Sequence, residues 1–249
     1  MKKLLPVLLC AAMLLCLLPL EARAAAAAWD GMVDISWYDP AQTEYTIDTP
    51  AKLAGLAALV NGMADPAAKA IVGDRSYLVS KKVDNVMLVG AGGGNVFDTV
   101  YTGGVDFAYK TIYLTADLDM GGRKAADGRW TGPNWTPIGG TTASTAFKGS
   151  FDGKNHTVKN MGIYYSATTT SAPYKGLFGY VNGTSSSYAT IQNLKVTGKM
   201  FLTSTGSVAN AYSSGVVAYA NYTNISGVVS DVDITVTRVN GNWSSVGGV

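Results

Sequence analysis

Thr157-Val158-Lys159-Asn160-Met161-Gly162-Ile163 and Thr190-Ile191-Gln192-Asn193-Leu194-Lys195-Val196 are the stretches that decide the fold, with Val229-Ser230-Asp231-Val232-Asp233-Ile234 as a looser third copy. The polar position Asn160, Asn193, Asp231 steps by 33 and then 38 residues. A glycine-led half-unit recurs beside it: Gly149-Ser150-Phe151, Gly176-Leu177-Phe178, Gly215-Val216-Val217 and Gly247-Gly248-Val249, at steps of 27, 39 and 32. Self-similarity at such a period marks a repeat architecture. Two or three short strands cannot bury a face of their own, so successive units must stack, like residue above like residue. The expected register puts Val158, Ile191 and Val228 or Val229 in an inner apolar ladder. Asn160, Asn193 and Asp231 then form a polar ladder at one corner, each bonding backbone of its own or the next turn. The variable segments 181–189 and 199–211 project as loops. The fold class that follows is all-β, a right-handed parallel β-helix or solenoid. A propeller needs blades of about 40–50 residues with four strands each, and with a sandwich it suits these units less well.

Upstream, Lys110 begins a strongly β pattern. Thr111-Ile112-Tyr113-Leu114 reads as a strand, Ala116-Asp117-Leu118-Asp119-Met120-Gly121 follows, and Trp130, Trp135, Pro137, Ile138 and Gly139-Gly140 make an aromatic bend. Trp29 to Tyr38 alternates apolar and polar residues and predicts a strand, as does Tyr45-Thr46-Ile47. Between lies the one good helix. Asp48-Thr49-Pro50 offers a capping side chain ahead of Pro at the first helical position. Leu53, Leu56, Ala57 and Val60 follow at helical spacing as one apolar stripe, and Asn61-Gly62 supplies the stop. A helix with such a stripe must cover something, so it is expected as a short cap on the β core near the N-terminus.

The first two dozen residues read as an export signal. Lys2 and Lys3 precede the apolar run Leu4–Leu20, and Ala22-Arg23-Ala24 places small residues where a signal peptidase cuts. Cys10 and Cys16 lie inside the run and follow Leu9 and Leu15, not the small residue a lipobox takes. Cleavage after Ala24 removes Lys2, Lys3, Glu21 and Arg23 and leaves basic and acidic residues equal in number. It also removes both cysteines, so the exported chain holds no disulfide, thiol nucleophile or Cys metal site. A neutral chain has no basic field for nucleic acid, and no membrane span is expected once the signal is gone.

The domain plan is therefore a signal peptide over 1–24, an N-terminal strand and capping helix over 25–62, an insertion of irregular and β structure over 63–109, and solenoid repeats over 110–249. Within the insertion, Tyr77-Leu78-Val79 and Val86–Val89 read as strands. The run Gly90–Gly94 is a flexible loop, without the Lys-Ser/Thr and helix that a phosphate loop needs. Ser244–Val249 starts another unit without a wall-sorting motif or terminal cap, and the expectation is a chain that continues in a longer protein.

The second half resembles the GLUG-repeat region of bacterial surface proteins. Tyr174-Lys175-Gly176-Leu177-Phe178-Gly179-Tyr180-Val181 matches its Gly-Leu-Phe-Gly core. Phe147-Lys148-Gly149-Ser150-Phe151-Asp152-Gly153-Lys154-Asn155-His156-Thr157-Val158 looks like the segment that precedes such repeats, and Trp135–Gly139, Leu114–Asp119 and the start at Trp29-Asp30-Gly31 fit the same lead-in. Gly215-Val216-Val217-Ala218 departs from the motif in lacking the Phe and the last Gly. The resemblance implies secreted or wall-attached β-helical stalks, with no catalytic residues.

The residues themselves offer few groups for chemistry. His156 is the only histidine. A Ser-His-Asp triad or a zinc site would have to use it, and no spaced partner accompanies it, so it is expected to hydrogen-bond within the turn that follows Asp152. Asp117 and Asp119 lie two apart and point to one side of a strand. With Asp152 they are the carboxylates a calcium site or a sugar-cleaving acid–base pair would draw on; as a strand end and turn they are caps. Tyr101, Tyr109, Tyr113, Tyr164, Tyr165, Tyr174, Tyr180, Tyr188, Tyr212, Tyr219 and Tyr222 supply material for sugar or protein contact. No catalytic residue, metal ligand or cofactor is assigned, and no binding residue is singled out. The expected function is a non-catalytic structural or adhesive module, secreted or at the cell surface. Its partners are a host or matrix protein, a glycan, or further repeats of the same polypeptide. The alternative is a carbohydrate-active β-helix enzyme, a lyase or hydrolase using Asp117, Asp119 and Asp152.

Overall fold

Period-two alternation between turn residues builds strands with one inward face, and here those strands coil. A computed structural model describes residues 27–62, 69–72, 75–78, 104–167, 174–204, 211–238 and 244–249. In chain order the elements are β1 (Glu44–Ile47), α1 (Pro50–Val60), β2 (Lys69–Val72), β3 (Arg75–Leu78), β4 (Thr111–Leu114), β5 (Leu118–Asp119), β6 (Arg123–Lys124), β7 (Trp130–Thr131), β8 (Ser150–Asp152) and β9 (Thr157–Ala167). They continue with β10 (Tyr174–Lys175), β11 (Phe178–Asn182), β12 (Ala189–Ser204), β13 (Ala211–Ser214), β14 (Val217–Asn221), β15 (Thr223–Arg238) and β16 (Ser244–Gly247). The signal segment 1–24, Val86–Val89 and Gly90–Gly94 lie outside the described residues; β3 covers Tyr77-Leu78 of the expected strand.

The architecture is a parallel β-solenoid of about three turns with a single α-helix among the described residues. One face stacks β1, β4, β8 and the first half of β12 in parallel. A second stacks β5, β9 and the rest of β12. Because β12 and β15 run round the bend between these faces as continuous 16-residue strands, both faces belong to one seven-stranded sheet. The third face carries β10-β13-β16 and β11-β14. The antiparallel pairs β2-β3 and β6-β7 stand apart from these ladders.

The register corrects the expected repeat. Phe151 stacks between Ile112 and Ile191, whereas Phe178 stacks on Ile138 and Val217, so the Gly149 and Gly176 half-units lie on different faces. Val158 pairs with Val196 and not with Ile191. Asn160 and Asn193 therefore serve different bends. Both take a left-handed backbone, φ 59° and 52°, a region that Asn tolerates better than most residues. Asn193 turns β12 from the first face to the second, and Gly227 (φ 60°) repeats that bend in β15. Asn160 is the extra residue of a bulge, where two residues of β9 oppose one of β12 between Val196 and Gly198. The two copies look alike in sequence because the two bends use the same device.

Buried columns run along the axis. Tyr45, Ile112, Phe151 and Ile191 stand in register on the first face. Phe107, Phe147, Phe178 and Phe151 form a chain of ring contacts at 6.2, 5.5 and 5.3 Å between successive centroids. Phe107 is fully buried and touches Tyr38 and Tyr45, so the packed first coil begins before residue 110.

Helix α1 is capped as expected, with Thr49 Oγ1 accepting from Lys52 N at 3.3 Å and Asn61-Gly62 ending it. Its burial differs from expectation: the sides of α1 away from the stripe are buried too, Ala54, Gly55 and Ala58 included. The reason is Trp29–Tyr38. That segment alternates in burial at Val33 and Ile35 but forms no strand. It crosses the end of the solenoid over the helix, with Asp34 N donating to Ala51 O and Trp29 N to Asp119 O. Gly55 is required at the crossing, since a Cβ there would lie 2.0 Å from Asp34 O.

Candidate functional site

The three candidate carboxylates all sit at bends, and each is engaged. Asp117, just before β5, accepts Thr157 N at 3.1 Å and lies 3.1 Å from His156 Nδ1. Asp119 Oδ1 accepts Gly121 N and Asn160 Nδ2, both at 3.0 Å. Asp152 is the most enclosed. Its Oδ1 accepts Lys154 N at 2.9 Å and Asn193 Nδ2 at 3.1 Å, and its Oδ2 accepts Gln192 Nε2 and Lys154 Nζ, both at 3.1 Å. Burial pushes this carboxyl up, but the four donors outweigh it and hold its pKa at about 2.

A rule emerges from Asp119 and Asp152. Each carboxylate closes its own turn through the backbone N–H two residues on, and also accepts from the left-handed Asn of the next coil. The Asp thus caps one coil and ties it to its successor. The pairs are Asp119–Asn160 and Asp152–Asn193, two bends with one chemistry.

His156 closes the Asp152–Asn155 turn, its N–H donating to Gly153 O at 2.8 Å and its carbonyl accepting from Lys195 N. The ring faces Asp117 of the preceding coil. Asp117 and Asp119 both leave the solenoid outward, as their spacing requires, while Leu118 between them is fully buried. Asp152 belongs to the first face, in register with Tyr113 and Gln192. The structure thus brings Asp117 to His156 and assigns Asp119 and Asp152 to separate bends. Among the described residues, no group of three or more His, Cys, Asp or Glu side chains converges as a metal site, and no helix is long and apolar enough to cross a membrane.

Two features went unnoticed in the sequence. The first is Lys175. Tyr174 faces outward, so the alternation of β10 turns Lys175 inward, beside Ser213 of the next coil, which is buried. Its Nζ lies 4.2 Å from the centroid of the Tyr165 ring, and burial lowers its pKa to about 8. Strand parity was the available signal. The second is the grouping of tyrosines on the third face. Tyr174, Tyr180, Tyr212 and Tyr219 pack ring to ring, and separately Tyr188 meets Tyr222 at the edge of the molecule. Tyr164 instead stacks on Phe201, 5.6 Å apart and within 7° of parallel. Comparison with protein-family models, with curated proteins and with solved structures gives no match.

Proposed function

We propose that this chain is an exported bacterial surface protein whose β-solenoid is a non-catalytic structural and adhesive module, presenting loops and side-chain faces to a protein or glycan partner. The observation that carries the reading is the state of the carboxylates. Asp119 and Asp152 hold bends together, and Asp152, with four donors on it, stays ionised far below the range in which a general acid works. The resemblance of 174–181 to a surface-protein repeat and the signal-like residues 1–24 support the same reading. So does the uneven distribution of tyrosine toward the surface, with Tyr109, Tyr188, Tyr219 and Tyr222 exposed.

Two experiments test it. Incubation with a panel of acidic and neutral polysaccharides is expected to release no oligosaccharide. Release that disappears in the Asp117→Asn, Asp119→Asn and Asp152→Asn variants replaces the module with a carbohydrate-active enzyme. Fractionation of producing cells with an antibody to the chain is expected to find it outside the cytoplasm and shortened by the signal. Full-length protein in the cytoplasm overturns the export half of the proposal.

A further inference from the structure

Four phenols converge on the third face from two successive coils. Tyr174 of β10 is in register with Tyr212 of β13, and Tyr180 of β11 with Tyr219 of β14. Their ring centroids lie 5.4 Å and 5.0 Å apart, both pairs edge to face. The diagonal pair Tyr174–Tyr219 stacks at 5.2 Å within 10° of parallel. Tyr174–Tyr180 at 6.0 Å and Tyr212–Tyr219 at 5.3 Å close the circuit, so every ring in the group touches at least two others. These separations are those of rings in contact. The group faces outward: Tyr219 is 36% exposed and the other three are half-buried, open to a small reagent. Burial, with the neighbouring phenols second, raises the pKa of Tyr174 and keeps that phenol protonated at neutral pH.

The composition gives this geometry its meaning. The only cysteines are Cys10 and Cys16, so residues 25–249 have no thiol with which to staple one coil to the next. We propose that the tyrosine quartet is a site of oxidative phenol coupling, taking a one-electron oxidant of the peroxidase and hydrogen peroxide class and giving a biphenol cross-link between the two coils. Each of two phenols gives up one electron and one proton. Hydrogen peroxide accepts both electrons and both protons and leaves as two water molecules. The two phenoxyl radicals join through ring carbons ortho to oxygen, forming one C–C bond. The two hydrogens on those carbons then move as protons to the two oxygens, restoring both phenols. The net change in the protein is the loss of two hydrogen atoms. A phenoxyl radical formed anywhere in the quartet has a second phenol in contact, and the in-register pairs place that phenol on the adjacent coil. A bond there closes a loop through the chain between Tyr174 or Tyr180 and Tyr212 or Tyr219, which restricts the unfolded chain as a disulfide does.

The test is to treat the purified chain with peroxidase and hydrogen peroxide and map the products by mass spectrometry and biphenol fluorescence. The expected product is a monomer lighter by two hydrogens, with a link joining the segment of Tyr174 and Tyr180 to the segment of Tyr212 and Tyr219. Methionine oxidation adds oxygen and is told apart by mass. The fourfold variant Y174F/Y180F/Y212F/Y219F keeps the rings and the packing and is expected to lose the intrachain link. The variant Y188F/Y222F, which removes the other tyrosine pair, at 5.9 Å, is expected to retain it. Persistence of the intrachain link in the fourfold variant, its loss in Y188F/Y222F, or formation of interchain adducts alone from the wild-type chain overturns the proposal. Matching circular dichroism spectra for the variants and the wild type confirm that the comparison is between folded chains.

Discussion

Asp152 and Lys175 each make stability rise with pH, in separate intervals, but at neutral pH the first stabilises the fold and the second costs it stability. Asp152 has its carboxyl lowered from 3.8 to about 2 by four hydrogen bonds that more than offset burial. Its contribution is present above the unfolded value and is lost as pH falls through about 2. A shift of that size is worth about 2 kcal/mol. Asp152→Asn is expected to lower the unfolding free energy by about 2 kcal/mol at neutral pH, with the gap to wild type closing toward pH 2. Urea titrations across that range measure it, and a gap that stays constant rejects the assignment. Lys175 instead costs stability at neutral pH, because burial disfavours its charged form and lowers its pKa from 10.5 to about 8. The folded chain then binds fewer protons than the unfolded one between those values, so stability rises with pH across that interval. Lys175→Met is expected to remove this rise and to stabilise the protein at neutral pH, as read from thermal midpoints on either side of the interval.

Among elements, α1 shows how a short helix becomes a lid by being covered itself. Gly55 lets the segment Trp29–Tyr38 cross it at backbone contact. Gly55→Ala is expected to cost about 1–3 kcal/mol, since the added methyl has only backbone to push against. The loss is read as a lower thermal midpoint, together with proteolytic release of the N-terminal segment. Full burial was legible in principle: in Pro50–Val60 only Lys52 is charged, and a helix apolar all round is a buried one. The strands were legible because their inward positions alternate, as at Ile112 and Leu114 or Tyr45 and Ile47. Their register was not. Asn160 and Asn193 carry similar flanks, and nothing in a list of residues says that one marks a bulge and the other a bend. The partner of Asp117 was hidden for a related reason. It lies at His156, 39 positions away, and only the true stacking register brings the two together.

At the scale of the whole molecule, burial among the described residues falls from the first coil to the last. Burial along the first-face column is complete from Ile112 through Phe151 to Ile191, and at Ile225 of β15 the exposure rises to 37%. Among the described residues no strand pairs with the far side of β15. Amide hydrogens of β15 are therefore expected to exchange before those of β12, whose two sides are both paired. Equal protection in the two strands counts against this gradient. The aromatic chain in the middle is the opposite case. Phe178 contacts Phe147 and Phe151 and is fully buried, so Phe178→Ala is expected to cost about 3–5 kcal/mol by chemical denaturation.

The parallel ladder also makes the protein mechanically anisotropic. Hydrogen bonds between stacked strands lie roughly along the solenoid axis. Tension along that axis loads the coils in series, and a single interface can open while its neighbours hold. Tension along the strands is another matter: β12 and β15 are in register at 15 positions, so sliding one past the other must break its bonds together. The same molecule peels under a lengthwise pull and resists a sideways one.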